Sequence, residues 1–269
     1  MIRLTQAKIN TWLTCKTCFR LRYRDVFRWP KEPNEAGALE AMEMGEMFHM
    51  LAAQYLVSAG KFSVDESTLS SKVGVWWHAF LESKQIQALI SGPHLKVEAD
   101  FEVALIDDVK VNGRIDCLQI SQGSINIFDW KTGRPRNKAD LETDWQTCLY
   151  LAMIAQSRDL LGQANLPLDQ ISITYWYARD PDKSVNVSYS EAWHSANWSQ
   201  LQQIGTDIVA ELEKMKTEPA WPVTSSGETC PQCSNGLVIG RVTVDPVPKS
   251  LDDEHQSELV VEADAHPDL

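Results

Sequence analysis

The sequence has no apolar run that reaches the roughly 18 residues needed to cross a bilayer. Its opening, Met-Ile-Arg-Leu-Thr-Gln-Ala-Lys, lacks the apolar stretch of a secretory leader. These two absences predict a soluble cytoplasmic protein with no membrane contact. There is no internal repeat, and no phosphate-cradling loop of the ATP-binding kind. Six cysteines in a cytoplasmic chain of 269 residues argue against a disulfide framework. Positive charge is scarce, with 25 Lys and Arg against 37 Asp and Glu and a net charge of -12. Averaged over the chain, that balance argues against a polyanionic partner.

The average hides a gradient. Residues 1–31 carry Arg3, Lys8, Lys16, Arg20, Arg22, Arg24, Arg28 and Lys31 against Asp25 alone. The stretch from Asp245 to Leu269 holds eight acids against Lys249. A basic face and an acidic tail coexist in one molecule, and only the face has to meet phosphates. With 43% hydrophobic residues, the chain has enough apolar material for one sizeable core or two small ones.

The stretch that organises the rest is Val109 to Gly133. It reads as two strands, 109–120 and 125–131, joined through Ser121, Gln122, Gly123 and Ser124. Three charged side chains sit where a hairpin would want apolar ones: Asp116 in the first strand, Asp129 and Lys131 in the second. Residues two apart on a strand share a face, so Asp129 and Lys131 project together and Asp116 can lie opposite them. Two carboxylates and an ammonium are costly in a core. They suit a divalent ion, Mg²⁺ or Mn²⁺, and a water.

Around this hairpin the periodicity predicts helices over residues 34–59, 66–91, 144–160 and 197–215, and further strands over 94–106 and 171–177. The loop between the hairpin and the third helix starts at Gly133-Arg-Pro-Arg. In the first long helix Gly45 and His49 stack on one face, and a glycine there leaves room for another backbone beneath the histidine. Gln146 and Tyr150 share a face of the later helix. Near the N-terminus Arg20, Arg22 and Arg24 alternate with Phe19, Leu21 and Tyr23, either a solvated basic face or an edge that meets phosphates and stacks a base.

Gly113-Arg-Ile-Asp116, twelve further residues, and Asp129-Trp-Lys131-Thr-Gly together resemble the PD-(D/E)XK nuclease superfamily. The likeness is greatest to its RecB-like branch, that of the RecB and AddB nuclease domains and the CRISPR-adaptation exonucleases. Gly45-Glu-Met-Phe-His49 matches that branch's upstream Gly-x-x-x-His, and Gln146-Thr-Cys-Leu-Tyr150 its downstream Gln-x-x-x-Tyr. Cys15 to Tyr23 matches a third, N-terminal stretch, and Glu98 falls where many members carry a glutamate before the hairpin. The resemblance covers about residues 5–235.

It implies an α/β fold, a central mixed sheet of four or five strands with helices on both faces. It implies His49, Asp116 and Asp129 as metal ligands, with the Trp130 carbonyl as a fourth, and Lys131 as the catalytic lysine. It implies Gln146 and Tyr150 as contacts to DNA or the scissile phosphate, and Arg20, Arg22 and Arg24 join them as expected substrate contacts. The proline of the superfamily's name is Ile115 here, which removes no ligand. The implied activity is a Mg²⁺- or Mn²⁺-dependent deoxyribonuclease acting on ends or single strands, in repair, recombination or defence. Two alternatives keep the fold: a non-catalytic nucleic-acid-binding module, and a subunit that cuts only with a helicase or adaptation partner.

Cys15, Cys18, Cys230 and Cys233 form two Cys-x-x-Cys pairs, a spacing that fits a tetrahedral Zn²⁺ or a [4Fe–4S] cluster. RecB-like relatives often pin the two ends together with a [4Fe–4S] cluster held by one N-terminal and three C-terminal cysteines. The two-plus-two set here departs from that pattern, and zinc and iron–sulfur both stay open. The expected organisation is one nuclease domain over 1–240, its segment 1–33 joined to the 230–233 pair by a metal site, followed by a disordered acidic tail over 241–269.

Overall fold

The computed structural model describes residues 1–23, 35–92 and 94–217. Arg24, Cys230, Cys233 and the stretch 241–269 lie outside the described residues. In chain order the elements are β1 (Ile2–Leu4), α1 (Gln6–Thr14), α2 (Lys16–Tyr23), α3 (Glu35–Val57), α4 (Ser71–Glu82), α5 (Lys84–Ile90), β2 (Leu95–Ile106) and β3 (Val109–Ser121). Then follow β4 (Ser124–Lys131), α6 (Lys138–Glu142), α7 (Trp145–Gln156), β5 (Ile171–Tyr177), β6 (Val185–Ser188) and α8 (Glu191–Thr217).

β3 is the spine of a mixed sheet of six strands. β2 runs antiparallel along one side of it, from Leu95↔Gln119 to Ile106↔Val109. On the other side β1 lies parallel to its start, and β4 pairs antiparallel with its end only, from Cys117↔Phe128 to Ser121↔Ser124. β5 continues parallel to β4, and β6 antiparallel to β5. Because Ser121 pairs with Ser124, the hairpin turn is just Gln122 and Gly123, tighter than the four-residue connection expected. Gly123 has φ +96°, a conformation that costs a glycine nothing.

The sheet is covered on both faces. Along β4, side chains alternate: Phe128 and Trp130 point to one face, Ile127, Asp129 and Lys131 to the other. On the first face α3, α4 and α5 pack an aromatic cluster of Phe48, Trp76, Trp77, Phe80, Trp130 and Trp176. Phe80 meets Trp130 and Trp176 edge-on, with centroids 5.2 and 5.4 Å apart, the arrangement ring quadrupoles favour. α7 covers the other face through Leu151, Ile154 and Ala155, against Ile127, Ile173 and Tyr175. α1 and α8 close over β1 and the start of β3, around Leu4, Trp12, Val109, Val111, Leu201 and Ile208.

Three features depart from the pattern read in the sequence. β1 and β6 raise the strand count from four or five to six; at three and four residues they are too short for alternation to register. The single helix expected over 66–91 is instead a short turn, then α4 and α5. The break falls at Ser83, whose backbone is extended at φ -66°, ψ 118° and whose Oγ accepts from the Trp176 indole at 3.3 Å. A buried indole N–H needs an acceptor, and the interruption supplies one. Finally, α6 forms in what read as a loop, capped by the Asn137 side chain.

Candidate active site

Pairing between β3 and β4 stops at Cys117↔Phe128. The next two residues in that register are Asp116 and Asp129, and there the strands part. The Trp130 N–H finds the Asp116 Oδ2 at 2.7 Å, a carboxylate in the place of a strand carbonyl. The fork thus fixes one oxygen of Asp116 and leaves the other to face α3.

His49 comes from α3. Its neighbour Phe48 is wholly buried, stacked on Trp176 at 6.1 Å and edge-on to Phe80 at 5.7 Å. With Phe48 anchored, the next side chain is presented to the fork, and His49 Nδ1 lies 3.3 Å from Asp116 Oδ1. Gly45, a turn earlier, does not admit a backbone. A Cβ there would find nothing nearer than the Thr132 hydroxyl at 3.6 Å, an ordinary contact.

Glu98 completes a group. It stands opposite Asp116 in the β2–β3 register, yet only its neighbours pair, Val97 with Cys117 and Ala99 with Ile115. Glu98 itself has φ +49°. A side-chain-bearing residue held in that region costs on the order of 1 kcal/mol, and such outliers concentrate at functional sites. The twist re-aims one carboxylate without moving the strand. As a result, one donor atom each from His49, Glu98 and Asp116 lies within 4.8 Å of the other two. Among the described residues this is the one such group of three.

The electrostatics follow from the crowding. Burial works against a charged imidazole at His49, but Asp116, and after it Asp129, outweigh burial and lift it to about 9. Burial, then the Asp116 carboxylate, raises Glu98 above the ordinary range. Two carboxylates and an imidazole converge on one point, a donor set that a cation would suit. One nitrogen and two hard oxygens fit Mn²⁺ or Mg²⁺, the nitrogen favouring manganese.

Asp129, Lys131 and Gln146 form a second group. Lys131 Nζ lies 3.1 Å from Asp129 Oδ2 and donates to Gln146 Oε1 at 2.8 Å. Gln146 Nε2 donates to Asp129 Oδ1 at 3.0 Å. The three side chains close a ring, with Asp129 and Gln146 both buried. The Lys131 ammonium also sits 5.7 Å from the centroid of the Tyr175 ring. Gln146 is held at the start of α7, where Asp144 caps the helix by accepting the Gln146 N–H at 2.7 Å. Arg136, from the loop after β4, grips the other Asp144 oxygen at 2.6 Å.

The remaining expected residues take protein partners. The Tyr150 hydroxyl donates to the Arg114 carbonyl at 2.7 Å. Burial, with Asp129 and Asp116 behind it, keeps that phenol well above its usual value, so it stays a donor. Arg20 and Arg22 lie on α2. Phe19, just before Arg20 in the chain, is buried edge-on against Trp12 at 5.3 Å and does not offer a face to a base. Cys15 lies between α1 and α2, and its Sγ accepts the Cys18 N–H at 3.4 Å. Glu98 carried more weight than the sequence reading gave it: once Asp116 is placed, the strand register alone puts Glu98 opposite.

The chain matches the family model of the PD-(D/E)XK nuclease superfamily over residues 3–235, and it belongs to that superfamily. The fold is similar to that of a candidate exonuclease from Eubacterium rectale, at TM-score 0.50 and 11% identity over 91% of each chain. A second solved structure, SSO0001, gives TM-score 0.35 and 10% identity over 81% of this chain and 78% of the other, too distant to add weight. No curated protein matches the chain. No helix among the described residues is long and apolar enough to cross a membrane.

Proposed function

We propose that this chain is a metal-dependent deoxyribonuclease of the RecB-like branch that hydrolyses phosphodiester bonds at DNA ends or in single strands. The observation that carries this reading is the convergence of His49, Glu98 and Asp116 donors within 4.8 Å, beside the Asp129–Lys131 pair. His49, Glu98 and Asp116 would hold Mg²⁺ or Mn²⁺, with Asp129 as a further carboxylate. The bound ion would supply charge neutralisation at the phosphate and a water of lowered pKa. Lys131, steadied by Gln146, would orient that water and stabilise the charge that builds on the phosphate oxygens. Trp130, through its N–H, keeps the Asp116 carboxylate turned to His49.

Support for the RecB-like branch is the ordered set Cys15 to Tyr23, Gly45 to His49, Asp116, Asp129-Trp-Lys131 and Gln146 to Tyr150. Work in DNA repair, recombination or defence, in the cytoplasm and alongside a helicase or adaptation protein, belongs to the same proposal. So does a Zn²⁺ or [4Fe–4S] site on Cys15, Cys18, Cys230 and Cys233, which links the segment 1–33 to the end of the nuclease domain. The test is cleavage of labelled single- and double-stranded DNA with Mn²⁺ or Mg²⁺. Wild type cuts and Asp129→Ala does not; two proteins that behave alike sink the proposal.

A further inference from the structure

We infer that Tyr150 is a positioning residue for Asp116, acting through the backbone of β3, and that Gly113 is the notch that admits it; this rests on the nuclease reading above. Among the described residues, no strand pairs with residues 112–116 of β3 on the side away from β2, because β1 stops at Val111 and β4 begins pairing at Cys117. A stretch of strand without a partner on that side, ending at Asp116, is a poor mount for a carboxylate. The Tyr150 hydroxyl reaches into this stretch and donates to the Arg114 carbonyl at 2.7 Å. Its ring lies over Gly113. A Cβ at Gly113 would stand 2.9 Å from Tyr150 Cε1, closer than real Cβ atoms come, and 3.0 Å from the end of the Met153 side chain, a tight contact. The glycine of the Gly-Arg-Ile-Asp run is thus explained by the ring above it and not by its backbone angles.

The spacing on α7 then has a mechanical meaning. Gln146 grips Asp129 and Lys131 on one arm of the fork. Tyr150, one turn and about 6 Å further along the helix axis, grips the other arm. A rigid helix spanning both arms sets how far apart the two aspartates stand. A phenol committed to a backbone carbonyl is placed to hold the protein, where a substrate contact would need it turned outward.

Tyr150→Phe keeps the ring and removes only the hydroxyl, so the chain retains its packing. Three readouts on the full chain test the role: Mn²⁺ affinity by calorimetry, affinity for a single-stranded oligonucleotide in EDTA by fluorescence anisotropy, and kcat and KM for cleavage. The expected result is Mn²⁺ binding weaker by about tenfold, a lower kcat, and unchanged KM and oligonucleotide affinity. Gly113→Ala gives the same signature, and adding Tyr150→Phe to it costs little more, since both changes break one contact. Oligonucleotide affinity that falls while Mn²⁺ affinity holds makes Tyr150 a substrate contact and overturns the inference. A Tyr150→Phe protein equal to wild type in all three readouts overturns it too. Wild type that neither binds Mn²⁺ nor cuts DNA removes the nuclease reading itself, a result separable from both.

Discussion

His49, Glu98 and Asp116 share one fork of the sheet with Asp129, Lys131 and Gln146, yet the two groups are built on opposite principles. The second closes on itself. Its carboxylate, ammonium and amide meet one another in a ring of one ion pair and two hydrogen bonds, and Asp129 and Gln146 are buried. The first gathers like charge, lifts Glu98 and His49 from their usual values, and holds Glu98 at φ +49°. One group stabilises the fold; the other is maintained at the fold's expense, and on the proposed nuclease reading a cation would complete it. A binding pole and a positioning pole therefore differ in what their removal does, and that difference is open to experiment.

The largest effect on metal affinity belongs to the binding pole. Glu98→Gln lowers Mn²⁺ affinity by about 10- to 100-fold in calorimetry. It leaves the metal-free protein as stable as wild type or more so, because a like charge beside Asp116 is gone. Loss of stability on that substitution would break the comparison. At the positioning pole the sign reverses. Gln146→Leu takes a buried partner from both Asp129 and Lys131 and lowers the unfolding free energy by about 1–3 kcal/mol, read in urea.

A pH series sharpens the same contrast. In metal-free protein His49 is raised from 6.5 to about 9, with Asp116 the main source of the rise. Its charged form therefore adds stability that is fully present below about 6.5 and is lost as pH rises through about 9. Metal requires the neutral imidazole, so Mn²⁺ affinity runs the other way and climbs over the same interval. Urea midpoints in EDTA and Mn²⁺ titrations across this range should slope in opposite directions, and His49→Gln should flatten both. The smallest effect is at Gly45. With nothing nearer than 3.6 Å to a new Cβ, Gly45→Ala in the helix interior gains about 0.5–1 kcal/mol and leaves metal affinity alone.

The sequence made the scaffold readable where side-chain alternation was long. β2, β3 and β4 were visible because charged or polar residues alternate with apolar ones over eight residues or more, and β5, buried throughout, showed as a seven-residue β-branched and aromatic run. β1 and β6 are too short to show it, and Ser83 broke a helix without glycine or proline because an indole on a distant strand needed an acceptor. At the site, Asp116, Asp129 and Lys131 announced themselves as charges in apolar strands. Glu98 did not, since its strand alternates through it undisturbed and its left-handed backbone leaves no mark on composition. The partners of Gln146 and Tyr150 were equally hidden, because helix spacing tells which residues share a face and not what the face will touch. Phe19 and Tyr23 illustrate the converse: aromatics interleaved with arginines fit a stacking edge as well as a solvated basic face, but Phe19 belongs to the core around Trp12.

The measurement that bears most directly on the whole account compares wild type with Lys131→Ala on single- and double-stranded DNA, with Mn²⁺ and with Mg²⁺. The account predicts metal-dependent cleavage by wild type and a loss of about 10²- to 10³-fold or more in kcat for the variant, with Mn²⁺ affinity retained. Equal cleavage by the two proteins, or none by wild type with either ion, would contradict it.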